Sequence, residues 1–195
     1  FKKIVSPDLY NGISANKISQ DHVRKLLLNL KVNTKKIITL TLRTYSYEIH
    51  RNTDSNFWLD VLDKLKKVGY TIIIIPDTDD INNQVYKNLF SDYLFIEGLA
   101  TDLNLKIAIY QKAITNLFPY SGNATLAQLN KKASSFTFIK TNNYYKNSTE
   151  SYFNSIGQTV GKNYKFLSKN HYIFWNGESD NFFKMIKSYL ENRLN

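Results

Sequence analysis

The run Thr71-Ile72-Ile73-Ile74-Ile75 restricts this chain more than any other feature. It shows no alternation of polar and apolar residues, so as a strand it must be covered on both faces. Such a strand belongs inside a parallel sheet sandwiched between helices. The flanking sequence supplies the other elements. Ser14 is placed to cap a helix reaching about Leu30, with Ile18, Val23, Leu26, Leu27 and Leu30 as its stripe. Lys36–Arg43 reads as a strand. Asp54 or Ser55 caps a helix carrying Phe57, Trp58, Val61, Leu62 and Leu65, and Gly69 ends it. Asp60/Lys64 and Asp63/Lys67 add i,i+4 pairs on its wet face.

The alternation continues. Ile81, Val85 and Leu89 mark a helix, Tyr93–Ile96 a short strand, and Thr101 or Asp102 the cap of a helix reaching about Ile114. Asn116–Pro119 is a strand, Ala124–Lys131 a helix, and Ser135–Ile139 a strand. Asn142–Asn170 reads as an irregular excursion. His171–Trp175 and an amphipathic helix over Ser179–Leu194 close the chain, with Phe182, Phe183, Ile186 and Leu190 facing inward. The pattern predicts an α/β fold: a Rossmann-like, mostly parallel sheet with helices on both faces and right-handed crossovers. Ile37–Leu42, Ile72–Ile75 and Leu117–Pro119 should be neighbouring central strands. Residues 1–34 are expected to form a helical N-terminal segment or linker, and residues 35–195 the Rossmann domain. At 195 residues one domain suffices, although a chain opening on Phe1 rather than methionine fits a piece of something longer.

Composition narrows the function. A formal charge of +10 invites a polyanionic or phosphorylated partner, yet the lysines are scattered in twos (Lys35-Lys36, Lys66-Lys67, Lys131-Lys132). Nucleic acid is therefore not expected, and a solubilising lysine surface accounts for much of the charge. There is no cysteine, so disulfide frameworks and thiolate metal sites are excluded. His22, His50 and His171 lack metal-ligand spacing, and no metal site is expected. "GQTVGKN" is one residue short of a phosphate loop and has no strand before it. The apolar runs are too short to span a bilayer, and no signal-peptide pattern opens the chain. A cytoplasmic setting is expected, with peripheral contact at the inner membrane face as a further expectation.

In a parallel α/β sheet, ligands lie beyond the carboxyl ends of the strands. Arg43, Asp77 and the Tyr120-Ser121-Gly122-Asn123 turn each follow a strand, so they should border one crevice. Arg43 at a strand tip, with Arg51 and Asn52 at the mouth of the next helix, suits bidentate capture of phosphate; a salt bridge from Arg43 to Glu48 is the other reading. Ser121, Gly122, Asn123 and Thr125 lie at a helix start, where N–H groups favour anions or form an ordinary cap. Gly122 allows close backbone approach or a positive φ. "PDTDD" places Asp77 and Asp79 after a buried strand. They read as a helix cap, as a ribose or base contact, or as an acid pair. The pair resembles the nucleophile and acid/base of haloacid dehalogenase-like phosphatases, and the Asp-x-Asp of some glycosyltransferases.

Taken together, these pieces resemble the C-terminal, donor-binding domain of GT-B glycosyltransferases of the fucosyltransferase and heptosyltransferase type. Thr41-Leu42-Arg43-Thr44 compares with H-x-R-R, Asp77 with the acidic motif after the second strand, and Pro119-Tyr120-Ser121-Gly122 with T-F-S-S. Ser121, Gly122 and Ala127 also match D-[ST]-G-x-x-H-x-A, with Tyr120 and Thr125 replacing its Asp and His. The resemblance implies a nucleotide-diphosphate sugar as donor substrate, no separate cofactor, and hexosyl or deoxyhexosyl transfer to a glycan or polysaccharide acceptor. Arg43 would hold the diphosphate with Arg51 and Asn52 in support, Asp77 the ribose or base, and Ser121 with its neighbours the phosphates. No catalytic base is implied. A non-catalytic basic domain that binds polyanions on the same fold is the alternative, and a phosphatase using Asp77 and Asp79 ranks third.

Overall fold

A computed structural model describes residues 12–194. Its centre is a six-stranded sheet of β1 (Ile37–Thr41), β2 (Thr71–Ile75), β3 (Leu94–Phe95), β4 (Thr115–Pro119), β5 (Ser135–Ile139) and β6 (His171–Trp175). The order is β3-β2-β1-β4-β5-β6, and every pair is parallel. The expected central trio therefore stands as β2-β1-β4. The direction of winding reverses between β1 and β4, and that reversal creates the crevice in which sheets of this kind take ligands.

Helices cover both faces. On one side lie α1 (Lys17–Asn29), α4 (Gly98–Thr101), α5 (Leu103–Lys112) and α6 (Gly122–Gln128), where Val23, Leu27, Ile107 and Ala127 join Ile37, Ile73, Ile75 and Phe118 in one core. On the other lie α2 (Ser55–Lys67), α3 (Gln84–Leu89) and α8 (Ser179–Leu194). There Trp58, Leu62, Leu65, Phe182, Ile186 and Leu190 pack on Ile38, Leu40, Ile72, Ile74 and Phe136. Alternate β1 residues thus feed opposite cores, as strand geometry requires. The threonines of β1 are buried but bonded: Thr39 Oγ1 donates to Asn116 Oδ1 (2.7 Å), and Thr41 Oγ1 shares a hydrogen bond with Tyr110 Oη (2.8 Å).

Several boundaries differ from the sequence reading. The cap of α1 is Asn16, whose Oδ1 accepts from Ser19 N at 2.8 Å, and Ser14 lies outside the helix. In α3, Val85 and Leu89 face solvent, because Asn83 caps a single short turn and buried Phe90 anchors it from behind. Asp63 takes Tyr93 Oη (2.5 Å) rather than Lys67. The 142–170 excursion contains α7 (Glu150–Ser155), and its Phe153 and Tyr164 close a third small core over Ile139 and Ile173. Among the described residues no helix is long and apolar enough to cross a membrane. Residues 1–11 of the expected N-terminal segment lie outside the described range, while α1 packs directly into the first core.

Candidate functional site

The loop from β1 to α2 is built around Arg43. Its guanidinium Nη1 donates to Glu48 O (3.2 Å) and Asn52 Oδ1 (2.5 Å), and Nη2 donates to Tyr47 O (3.4 Å) and stands 3.7 Å from Glu48 Oε2. Backbone bonds to Thr53 close the loop, with Thr53 N donating to Arg43 O and Arg43 N to Thr53 Oγ1 (both 2.8 Å). Arg43 is only 7% exposed. Burial and then Arg51 press its pKa down, Glu48 opposes them, and an arginine stays charged regardless. The ion pair to Glu48, one of the two sequence readings, is formed.

Arg51 shares Glu48 with this scaffold and keeps only 20% of its side chain exposed. It pairs with Glu48, donates Nη2 to Tyr120 O (3.3 Å), and lies 4.3 Å over the Tyr120 ring. This contact bridges the β1 loop to the turn after β4, across the point where the winding reverses. The Asn147 amide, then Arg51 and Arg43, hold the Glu48 carboxyl below its usual range against burial. Beside it His50 stacks on Tyr145 with ring centroids 3.8 Å apart, and its Nε2 meets Ser148 Oγ at 2.8 Å. Burial lowers the His50 pKa, with the Glu48 carboxylate opposing.

Asp77 sits at the other side of the loop, and both carboxylate oxygens are engaged. Oδ1 accepts from Thr78 N (2.8 Å), capping a short 3-10 turn, and Oδ2 accepts from Thr44 N (2.9 Å). Both bonds tie the carboxylate to backbone, so it has a structural role as built. Asp79 is exposed, and Asp80 accepts from Asn83 Nδ2.

In the turn after β4, Ser121 is buried and its Oγ has no partner. Gly122 has neither a positive φ nor a close neighbour, and a Cβ there would meet nothing within 4 Å; its bareness leaves open surface. Thr125 is exposed on α6. Asn123 reveals a residue the sequence reading missed: Lys106 of α5, 5% exposed, donates Nζ to Asn123 Oδ1 at 3.2 Å. Burial lowers the Lys106 pKa and the charge of Asp77 raises it. A lysine in the first turn of a helix ordinarily reads as solvated, so the sequence gave no signal.

Arg43, Asp77 and Ser121 thus gather at one edge of the sheet, but the concave space lies to one side of them. A cavity of about 110 Å³ is lined by Arg51 and Asn52 from the loop, by Pro119 and Tyr120 after β4, and by Trp58, Phe138 and Lys140. A wider one of about 650 Å³ adjoins it, sharing Asp54, Phe138 and Lys140 and running to Asn176 and Ser179. Arg43, Asp77 and Ser121 stand beside these walls.

No protein-family model matches the sequence, and no curated protein matches it. Solved structures do. The chain is similar to the glycosyl transferase family 9 protein from Veillonella parvula DSM 2008 (TM-score 0.59, 10% identity, covering 91% of this chain and 45% of that one). It is also similar to the E. coli ADP-heptose lps heptosyltransferase II (TM-score 0.62, 8% identity, covering 94% of this chain and 54% of that one). The chain spans about half the length of the solved structures it matches. Its fold is that of a Rossmann-like domain of GT-B glycosyltransferases, as the sequence resemblance implied.

Proposed function

We propose that this chain is the nucleotide-sugar-binding domain of a glycosyltransferase, which passes a hexosyl or deoxyhexosyl group from a nucleotide diphosphate to a glycan or polysaccharide acceptor. One observation carries the reading: Arg51 reaches from the β1 loop to the carbonyl of Tyr120 across the reversal in winding, over a cavity at the strands' carboxyl ends. A planar cation held by one carboxylate is suited to a diphosphate, which gains charge as the sugar departs. Arg43 and Asn52 serve by fixing the loop, and Asp77 by tying that loop to β2. Ser121, Gly122 and Asn123, with Lys106 bonded to Asn123, are assigned to the phosphates from the turn after β4. The wider cavity has the size of ordinary small-ligand sites.

Thermal-shift titration with ADP, UDP and GDP tests this. The reading requires saturable stabilisation by at least one of them that persists when salt is raised. The non-catalytic alternative requires binding to any polyanion, lost steeply with salt. Stabilisation by polyanions alone would replace the first reading with the second.

A further inference from the structure

Beside the loop that holds Arg43, another concave space of about 410 Å³ is lined by Tyr47, Ile49 and Tyr145. It borders the smaller cavity described above through His50, which lines both. Its walls are apolar for a surface: Tyr47 is 73% exposed, Ile49 is exposed and Tyr145 is half-exposed. Apolar groups gathered in water around a hollow mark a binding site rather than core. Both loops hold these side chains in place. Glu48 has a left-handed backbone (φ 55°), which a residue with a side chain rarely adopts. Its carboxylate is anchored by Arg51 and by Asn147 Nδ2 (2.7 Å), while its neighbours Tyr47 and Ile49 stay in solvent. The Tyr145 ring is backed by His50, parallel to within 5°. Its backbone is fastened too, with Tyr145 N donating to Asn142 Oδ1 and Ser148 N to Tyr145 O (both 2.9 Å). With His50 on one side, the exposed part of the ring is its other face and rim.

A ring face fixed in advance suits a guest with an apolar face of its own, because little ordering remains to be done on binding. The charges around it narrow the choice. Glu48 is committed to Arg51, Arg43 and Asn147, and it would repel a phosphate at this wall. Lys146 offsets it, so the lining as a whole is close to neutral. The remaining polar groups are the Ser46 and tyrosine hydroxyls and the Asn147 amide, which both donate and accept. A pyranose matches this pattern, with a face of C–H groups and a rim of hydroxyls that also donate and accept. The volume lies within the range of ordinary small-ligand sites. We infer that Tyr47 and Tyr145 form a stacking platform for a neutral pyranose of the glycan acceptor, with Ser46 and Asn147 at its hydroxyl rim. Calling that sugar the acceptor rests on the donor reading, whereas its binding rests on the two rings alone.

Tyr144 supplies an internal control, because it is 92% exposed beside Tyr145 and does not line the space. Saturation-transfer NMR from the chain to four neutral trisaccharides, built of glucose, galactose, mannose and N-acetylglucosamine, reads the contact directly. The C–H face is common to pyranoses, so at least one of the four should receive saturation, concentrated on the C–H protons of one ring. Tyr47→Ser, at a residue too exposed to affect folding, should weaken that transfer by about fivefold or more. Tyr145→Leu should do the same, and Tyr144→Ser should leave it unchanged. Transfer that depends on Tyr47 while no nucleoside diphosphate stabilises the chain keeps the platform and removes the donor reading. Nucleoside diphosphates that stabilise the chain while no trisaccharide receives saturation do the opposite. Saturation that reaches the base protons of a nucleoside diphosphate through Tyr47 makes this a nucleobase site and overturns the inference. Transfer lost equally in Tyr47→Ser and Tyr144→Ser, or unaffected by either, overturns it as well. So does self-association of the chain that Tyr47→Ser abolishes, which would make the rings an interface between copies.

Discussion

The carboxyl edge of the sheet has two flanks that look equally functional as sequence and are built differently. The flank beyond β2 is acidic: Asp77, Asp79 and Asp80 follow a strand of pure β-branched residues. Its polar groups are satisfied locally, with Asp77 bonded to two backbone N–H groups and Asp80 to Asn83. The flank beyond β1, β4 and β5 is basic and incompletely satisfied. Arg51 Nε, Trp58 Nε1, His50 Nδ1 and Ser121 Oγ are all buried there without partners. Completed hydrogen bonding marks structural roles, whereas each buried polar group left without a partner calls for an explanation. The basic flank is therefore the one we propose to bind the donor.

Acid stability offers the largest test of that division, since carboxylates on the acidic flank could dominate it. The account assigns it instead to His171, which is 1% exposed, bonded to Ser135 Oγ at 2.8 Å, and pushed by burial down to about 4, with a backbone hydrogen bond to Asn130 opposing. Because the folded pKa lies below the unfolded one, His171 costs nothing above the unfolded pKa near 6.5, and stability falls as acid protonates the unfolded chain first. The loss should total roughly 3 kcal/mol between those two pH values and then level off. Urea unfolding of His171→Gln should show that slope removed; a slope unchanged would return the effect to the carboxylates.

On the acidic flank, Asp77→Ala leaves Thr44 N and Thr78 N without their acceptor. A loss of about 2 kcal/mol in unfolding free energy is expected, with any effect on ligand affinity arising only through the loop. Full stability with lost nucleotide binding would make Asp77 a ligand group and break the comparison. Smaller still is Asp79→Asn, an exposed change beside it, which should shift stability by less than ~0.5 kcal/mol and leave binding untouched. A marked loss of activity in that variant would revive an acid pair at this turn.

The sheet was legible because each strand is a short apolar run bounded by a cap or a turn, and Thr71–Ile75 admits only a two-sided burial. Boundaries failed where local competition decides them. Asn16 caps α1 in place of Ser14 through a bond that spacing alone cannot rank. Phe153 and Tyr164 order the 142–170 stretch through contacts distant in sequence. At the site, strand ends located the β1 loop and the turn after β4, which the structure brings together through Arg51 and Tyr120. Spacing could not show that Glu48, Tyr47 and Asn52 fold back onto the Arg43 guanidinium. Lys106 stayed hidden in a helix turn that reads as surface, because its burial depends on meeting Asn123 from another element.

The most direct test of the binding flank is calorimetric titration of the best-bound nucleoside diphosphate into the wild type, Arg51→Lys and Lys131→Ala at two salt concentrations. Lysine keeps the charge at position 51 but loses the planar fork, whereas exposed Lys131 stands for the general surface. The account predicts that Arg51→Lys loses on the order of 1–3 kcal/mol of affinity, that Lys131→Ala matches the wild type, and that added salt weakens binding only modestly. Equal losses from both substitutions, together with a steep salt dependence, would contradict it and leave a generic polyanion surface.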